Sequence, residues 1–565
     1  MTLTKNGTSA QLTDGVSSTI DIRSAKEVDR QASFGAGVNL INADIFGKIP
    51  IGSRSSVQIS ARRSLADLFQ TPTYKQYFDR AFRDTDVTNT TVFGDNTTVN
   101  SDEEFNFHDV GLKFLYDITD KDKLRLNFIN GYNSIAYEEN ATFTDRIESR
   151  TSSLTQQTIA GGLVYKRQWN DFFSTTAQFY ASLYDLDATN FDIINDQRLI
   201  QENKVLDTGL KLSADYALSE NLSLSGGYQF YEIGVNNLQD VNNPVFRRRI
   251  KEVLRIHAGF AQATYSNEDN SSFASLGVRL TRLQKFGEWL LEPRLSLRQA
   301  LNEVLFVTLQ GELKHQTTSQ VIDFQNDFLG VEQRRWVLAN GSDIPITKSK
   351  QLSLGTTFNH NGWLIDLTGF YKDVNGVITS SQGFQNQFQF IRTSGSYDAY
   401  GADLLLKKRL ENFNVWASYS YMNSDYEFSE LTPSTFPNNF DITHAVTLSG
   451  NYTKNQFSLA SSINWRNGRR FTLINEEAPI LEGNLNFEAP NATTLDDFLR
   501  WDLSSTYRFK LGDGVRAIAG ISVWNILNNQ NVVNSYYRIN DNDEAVLVEQ
   551  EALGITPNAS FRIFF

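Results

Sequence analysis

The residues able to do chemistry in this chain are few and widely scattered. Five histidines stand at 108, 257, 315, 360 and 444, and none has metal-ligand spacing such as H-E-x-x-H. With no cysteine in 565 residues there is no thiolate site and no disulfide. His444 follows Asp441 and Thr443, an order that suggests an acid–histidine pair for hydrolysis. On a strand, residues three apart point to opposite faces, so Asp441 and His444 converge only if the strand breaks there. Asn540-Asp541-Asn542-Asp543-Glu544 offers hard oxygen ligands to calcium but lacks the glycine and distal glutamate of a calcium loop. A solvated acidic loop tip explains it more simply, and no metal or cofactor is expected.

Arginines and aromatic rings in long polar segments are the better ligand candidates. They are Arg334, Arg335 and Trp336; Phe384, Phe388 and Phe390; and Arg469, Arg470 and Phe471. Rings stack on flat or sugar-like ligand faces, and guanidinium groups attract carboxylate chelators. The plainer reading is that loop aromatics pack loops against one another. Arg247-Arg248-Arg249 is either a contact for lipid headgroup phosphates or an anion clamp.

What must position these residues is strand. Phe173, Ala177, Phe179, Ala181 and Leu183 alternate with Ser174, Thr176, Gln178, Tyr180 and Ser182. Leu499, Trp501, Leu503, Tyr507 and Phe509 oppose Arg500, Asp502, Ser504, Thr506 and Arg508. Such segments have the length that crosses a bilayer when tilted, with every second residue facing lipid. No run nears the 18 apolar residues of a membrane helix, and mean hydropathy is −0.37. Phe 40, Tyr 22 and Gly 35 against Met 2 and Pro 10 suit strands and turns. A net charge of −13 argues against nucleic acid as a partner.

Connections alternate in length. Short turns fall at sites such as Thr119–Asp122, Asn170-Asp171, Asn302-Glu303, Asn361-Gly362 and Lys454-Asn455. Longer polar segments lie at 64–104, 138–153, 189–199, 235–250, 316–345, 374–391, 428–439, 467–497 and 526–556. The expectation is an all-β fold: a transmembrane antiparallel up-and-down β-barrel of about 22 strands with short periplasmic turns and long extracellular loops. Its weakest pair is the one joined at Ile41-Asn42. Helical turns are expected at 64–69 and 74–78, and a projecting hairpin over 535–548. The last strand sets Phe561, Ile563 and Phe565 on one face, as a barrel-closing strand would.

Three places resemble the TonB-dependent outer-membrane receptors, of a Bacteroidetes-like kind. Asp14-Gly15-Val16-Ser17-Ser18-Thr19-Ile20-Asp21-Ile22 is similar to the last strand of that family's plug. Asn525-Ile526-Leu527-Asn528 resembles the motif ending its penultimate barrel strand, and Phe565 is its terminal aromatic. The resemblance implies residues 1–30 as the tail of a plug domain or a linker and 31–565 as the barrel. It implies a Gram-negative outer-membrane location, contact with lipid and lipopolysaccharide, and coupling to the TonB complex through the plug. Most of the plug is expected either outside this sequence or on a separate polypeptide. The implied activity is energised uptake of a bulky scarce solute: a ferric siderophore, a cobalamin-like molecule or an oligosaccharide. No bond is made or broken, so no enzyme is expected. The competing expectation is a passive, porin-like diffusion channel.

Overall fold

The computed structural model describes residues 1–68, 70–82, 98–143, 146–192, 196–323, 333–540 and 542–565. It is a closed antiparallel barrel of 22 strands, beginning at Ser33–Asn39 and ending at Thr556–Phe564. Strands pair with their sequence neighbours throughout, and the ring closes where the last strand pairs with the first, Ala36 opposite Ile563 and Val38 opposite Phe561. Phe34 and Phe565 exchange both backbone hydrogen bonds, at 2.9 and 3.2 Å. Closure leaves no ladder edge inside the hydrocarbon layer, where an unpaired N–H or C=O would find no water.

The alternation read from sequence separates lipid from lumen. On Glu288–Ala300, Trp289 and Leu291 are exposed outward while Leu290, Glu292 and Arg294 are buried inward. Leu352 and Leu354 are exposed, with Ser349 and Ser353 buried on the other face of Thr347–His360. Phe179, Leu183, Leu367, Tyr371, Leu459, Tyr507 and Phe561 also point to the outside.

The short turns form for local reasons. Asn361 and Gly362 both take positive φ, 50° and 74°, which suits a two-residue turn matching the strand twist. A Cβ on Gly362 would also meet the Arg409 carbonyl oxygen at 2.6 Å. Asn170 accepts from the N–H groups of Phe172 and Phe173, both at 2.9 Å, and Asn302 does the same for Val304 and Leu305. The pair around Ile41-Asn42 is present as Ser33–Asn39 and Asn42–Pro50, with Asn39 accepting from the N–H of Ile41 and of Asn42.

Three expected loops are corrected. Segments 138–153, 189–199 and 235–250 belong largely to strands, because seven consecutive strands, from Thr98–Asp117 to Val245–Ser266, run 20 to 23 residues. At about 3.3 Å per residue and a tilt near 45° these rise roughly 50 Å, about twice the apolar band. Beyond the lipid the ladder continues while the apolar alternation stops, so the pattern ends before the strand does. Arg247, Arg248 and Arg249 therefore lie on a strand, opposite Asp240, Gln239 and Leu238. In the first loop the helix is Pro72–Phe82, and 66–68 is a turn rather than a helix; residues 69 and 83–97 lie outside the described residues. The expected late hairpin is present as Val532–Ile539 with Ala545–Glu551. Asn540 accepts from the N–H groups of Asn542 and Glu544, while Asp541 lies outside the described residues.

Candidate functional site

Within the barrel, a charged ladder covers part of the inner wall. Arg279 and Glu292 face each other across neighbouring strands, as do Arg294 and Glu312. Glu292 lies 3.6 Å from Arg279 and 3.2 Å from Arg294; Glu312 lies 3.6 Å from Arg294 and 3.8 Å from Lys314. All five side chains are at most 3% exposed. Buried charges persist when each has a counter-ion and hydrogen bonds, and the alternating order of signs provides that.

The N-terminal segment seals this ladder. Asn6 donates to Ser353 and to the Gln310 carbonyl, Thr8 binds Glu312, and the Gln11 carbonyl accepts from Gln229. Asn6, Thr8 and Ala10 are buried against the wall. Further along, Asp14 accepts from the N–H and hydroxyl of Thr317, both at 2.9 Å, and Val16 packs against a core of loop side chains. A short sheet joins Thr2–Thr4 to Thr19–Asp21. Nearer the first strands, a lumen cavity of about 650 Å³ is lined by Lys48, Gln58, Lys113, Asn127, Gln178 and Tyr180.

The long loops pack on one another at the opposite end from the short turns. Val374, Val377, Phe384, Phe388, Tyr426, Phe428, Leu431 and Phe436 form a buried core. Phe384 meets Tyr426 edge-on at 5.2 Å, and Phe388 lies 5.2 Å from Phe436. Phe390, two residues on, is 83% exposed. A second tie links Asn386, Thr472 and Asn491, all buried, and Asn491 donates to the Pro437 carbonyl at 2.8 Å.

Arg469, Arg470 and Phe471 lie at the junction of these loops. Arg469 donates to the Asn439 carbonyl at 2.9 Å, and its guanidinium carbon stands 4.6 Å from the centre of the Phe440 ring, which is itself exposed. Arg470 donates through Nε and Nη2 to one oxygen of Asp441, at 3.1 and 3.0 Å. Burial pushes the Asp441 carboxyl above its ordinary range, with Arg470 pulling the other way. Phe471 stacks on Tyr537 of the late hairpin, 6.4 Å apart and 19° from parallel. Asp441 thus faces Arg470, whereas His444 accepts or donates at Tyr419, 2.9 Å away, so the two form no catalytic pair.

Arg334, Arg335 and Trp336 lie elsewhere, on the strand Gln333–Leu338 of a loop hairpin leaning on the tall wall. The Trp336 backbone pairs with Asn203 and Asn237, and Leu338 enters a buried cluster with Ile233, Val235, Leu254 and Ile256. Arg334 is exposed; Arg335 and Trp336 are half-buried. The nine expected residues therefore divide into two exposed or half-exposed sets of three, a buried aromatic pair and the exposed Phe390.

Sequence reading passed over the inner-wall ladder. Its signal was available: Glu292/Arg294 and Glu312/Lys314 each place opposite charges two apart on the inward face. Only the register shows that they mesh.

A closed 22-strand barrel with a lipid-facing belt, a segment docked in the lumen and loops packed over one mouth is an outer-membrane receptor barrel. A sequence model of the TonB dependent receptor-like β-barrel family matches residues 52–528. The chain belongs to that family and is an outer-membrane protein of the kind that works in TonB-dependent uptake. Similar folds include the ferric enterobactin receptor of Pseudomonas aeruginosa, at 12% identity and a TM-score of 0.66, covering 100% of this chain and 84% of that one. The ferric yersiniabactin uptake receptor of Yersinia pestis gives 13% and 0.63, covering 96% and 81%. The ferripyoverdine receptor of Pseudomonas aeruginosa gives 10% and 0.63, covering 98% and 74%. No curated protein matches the chain.

Proposed function

We propose that this protein captures a bulky, scarce solute in its outer loops and passes it through the barrel when TonB acts on a plug domain. Residues 1–30 are the end of that plug and 31–565 the barrel. The observation that carries this reading is the seat of the N-terminal segment: Thr8 binds Glu312 and Arg294, the Ala10 carbonyl accepts from Arg279 at 3.4 Å and Asn6 is buried beside them on Ser353, all wall groups that an open, water-filled pore would leave hydrated. Arg469 with Phe440, Phe471 with Tyr537, and exposed Phe390 and Arg334 are the contacts offered to ligand. Guanidinium and ring surfaces suit a ferric chelate carrying carboxylate or catecholate groups. The three receptors compared above are named for ferric-chelate ligands, which supports that class over an oligosaccharide. Nothing in this scheme makes or breaks a covalent bond.

The test is uptake by cells expressing the complete receptor, with and without TonB, of radiolabelled iron supplied on a panel of chelators. TonB-dependent uptake of one chelate, lost in Arg469→Ala, is expected. Steady ion conductance of the complete protein in planar bilayers, with no TonB-dependent uptake, would support a diffusion channel and overturn the proposal.

A further inference from the structure

The strand Val245–Ser266 pairs with Leu222–Asn242 in an unbroken register from Val245 to Tyr265, but its pairing with Ser272–Leu283 begins only at Ile256. At about 3.3 Å per residue and a tilt near 45°, Ile256 to Ser266 rise roughly 25 Å, the height of the apolar band. Val245 to Leu254 therefore stand above the lipid, and they pair with no second strand among the described residues. The wall drops here because the adjoining strands, Ser272–Leu283 and Glu288–Ala300, turn back at 284–287. Lys285 of that turn lies 3.7 Å from Glu252, at the foot of the open edge.

One hydrogen bond tells which groups the edge presents. The Arg255 carbonyl accepts from the N–H of Gln284 at 3.0 Å, on the side of Ser272–Leu283. Along an extended strand the N–H and C=O of one residue point to the same side, and the sides alternate. Arg247, Arg249, Lys251 and Val253 thus aim both backbone groups at the open side. Leu254 and Ile256 are buried inward, so the side chains of those four residues, and of Arg255, face outward. Counter-charge is short on this face. Arg255 pairs with Glu232 at 2.6 Å and Arg247 with Asp240 at 3.5 Å, while Arg249 donates to the neutral Asn236 side chain at 2.9 Å. Lys251 has no ion pair among the described residues. Val245 at the tip is 89% exposed, and Phe246 and Val253 are exposed as well.

We propose that this edge takes up an added β-strand from another surface protein, an extended segment with a carboxylate at every second position. A row of unpaired N–H and C=O groups is a template that a further extended chain completes. An antiparallel addition carries the ladder upward from where Ser272–Leu283 leaves it. It sets the outward side chains of the segment directly opposite Arg247, Arg249 and Lys251, where opposite charges stabilise the pairing. Val245, Phe246 and Val253 give it apolar contact above the membrane. Cations on an edge commonly guard it against self-association, and a second copy of this chain would bring the same cations to the contact. The guard that repels a copy selects an acidic strand.

The experiment uses the full chain in detergent and a synthetic peptide of about ten residues, one strand length, in which glutamate alternates with threonine and valine. Amide hydrogen exchange is read residue by residue by mass spectrometry. The peptide should slow exchange about tenfold or more at Arg247, Arg249, Lys251 and Val253. Arg248, Ile250 and Glu252, whose backbone groups point to Leu222–Asn242, should change little. The same peptide with lysine for glutamate should protect nothing. The triple variant Arg247→Glu, Arg249→Glu, Lys251→Glu should reverse the preference, binding the lysine peptide about tenfold more tightly than the glutamate one. Val253→Pro removes one edge N–H and no charge, at a position where proline is tolerated, and should weaken the glutamate peptide about fivefold or more. Folding is checked by heat-modifiable mobility in SDS; if the triple variant fails it, Val253→Pro must still weaken binding. No protection by the glutamate peptide, equal protection by both peptides, or protection that rises with protein concentration alone, as a second copy would give, would overturn the proposal.

Discussion

Thr8 reaches one carboxylate oxygen of Glu312 with both its backbone N–H, at 2.9 Å, and its hydroxyl, at 2.7 Å. The same oxygen lies 3.6 Å from Arg294, so one buried wall residue holds both the lumen segment and a buried cation. Glu312→Ala should cost about 3–5 kcal/mol, because it leaves Arg294 and Lys314 short of a counter-charge in a buried site. Thr8→Val should cost less, about 2–3 kcal/mol, because its hydroxyl donates to Glu312 and accepts from Arg294 at 2.6 Å but both charges keep each other as partners. Urea unfolding in detergent measures both. Protease attack within residues 5–13 should rise in both variants, and further in the first.

Phe384 should report on the loops and not on the barrel. Its ring touches Phe388, Tyr426, Phe428 and Phe436. Truncation to alanine leaves a cavity costing about 3–5 kcal/mol, borne by the loop core. Hydrogen exchange should quicken over 379–393 and 428–437, while the thermal shift of the barrel stays small. Equal loss of protection in the strands would refute this division.

Gly468 has no room for a side chain. A Cβ there would lie 1.6 Å from the Leu495 carbonyl oxygen, a backbone atom that cannot rotate away. Gly468→Ala should force the ends of the 467–497 loop apart and weaken ligand capture through displaced Arg469 and Phe471. Gly483→Ala is the contrast: φ is 78° with open space around it, so only about 1–2 kcal/mol of local strain follows. Ligand affinity of the two variants should differ clearly.

Asp441 gives the loops a pH dependence. Its folded pKa is raised by burial, and its second oxygen has no hydrogen-bond partner among the described residues. A raised folded pKa means a stabilising contribution that is complete below the ordinary carboxylate value, about 3.9, and lost as pH rises through the folded value. Protection factors around 438–443 and 469–472, corrected for intrinsic exchange, should therefore increase on acidification through that window. Asp441→Asn should flatten the dependence; an unchanged slope would remove Asp441 as its cause.

Phe390 tests the ligand surface independently of folding. At 83% exposure its ring supports no loop core, so Phe390→Ala should leave stability within about 0.5 kcal/mol. Isothermal titration with the transported chelate should show the loss of affinity, with Phe384→Leu as the packing control.

The barrel was legible in the chain because a bilayer imposes its rule on every second residue. Phe179, Leu183, Leu367 and Tyr507 face lipid as their alternation required, and Asn302 and Asn361-Gly362 turn where their side chains and positive φ allow. Above the membrane that rule lapses. The strands through 235–250 continued unseen because backbone hydrogen bonds, not side-chain pattern, extend them. The loop residues were identifiable as types but not as contacts: Phe384 and Phe390 look alike in sequence, and one is enclosed while the other stands open. Register and long-range docking decided the rest. Arg279 meets Glu292, and Thr8 meets Glu312, across separations that no local spacing encodes, because each contact depends on where the closed wall brings distant strands together.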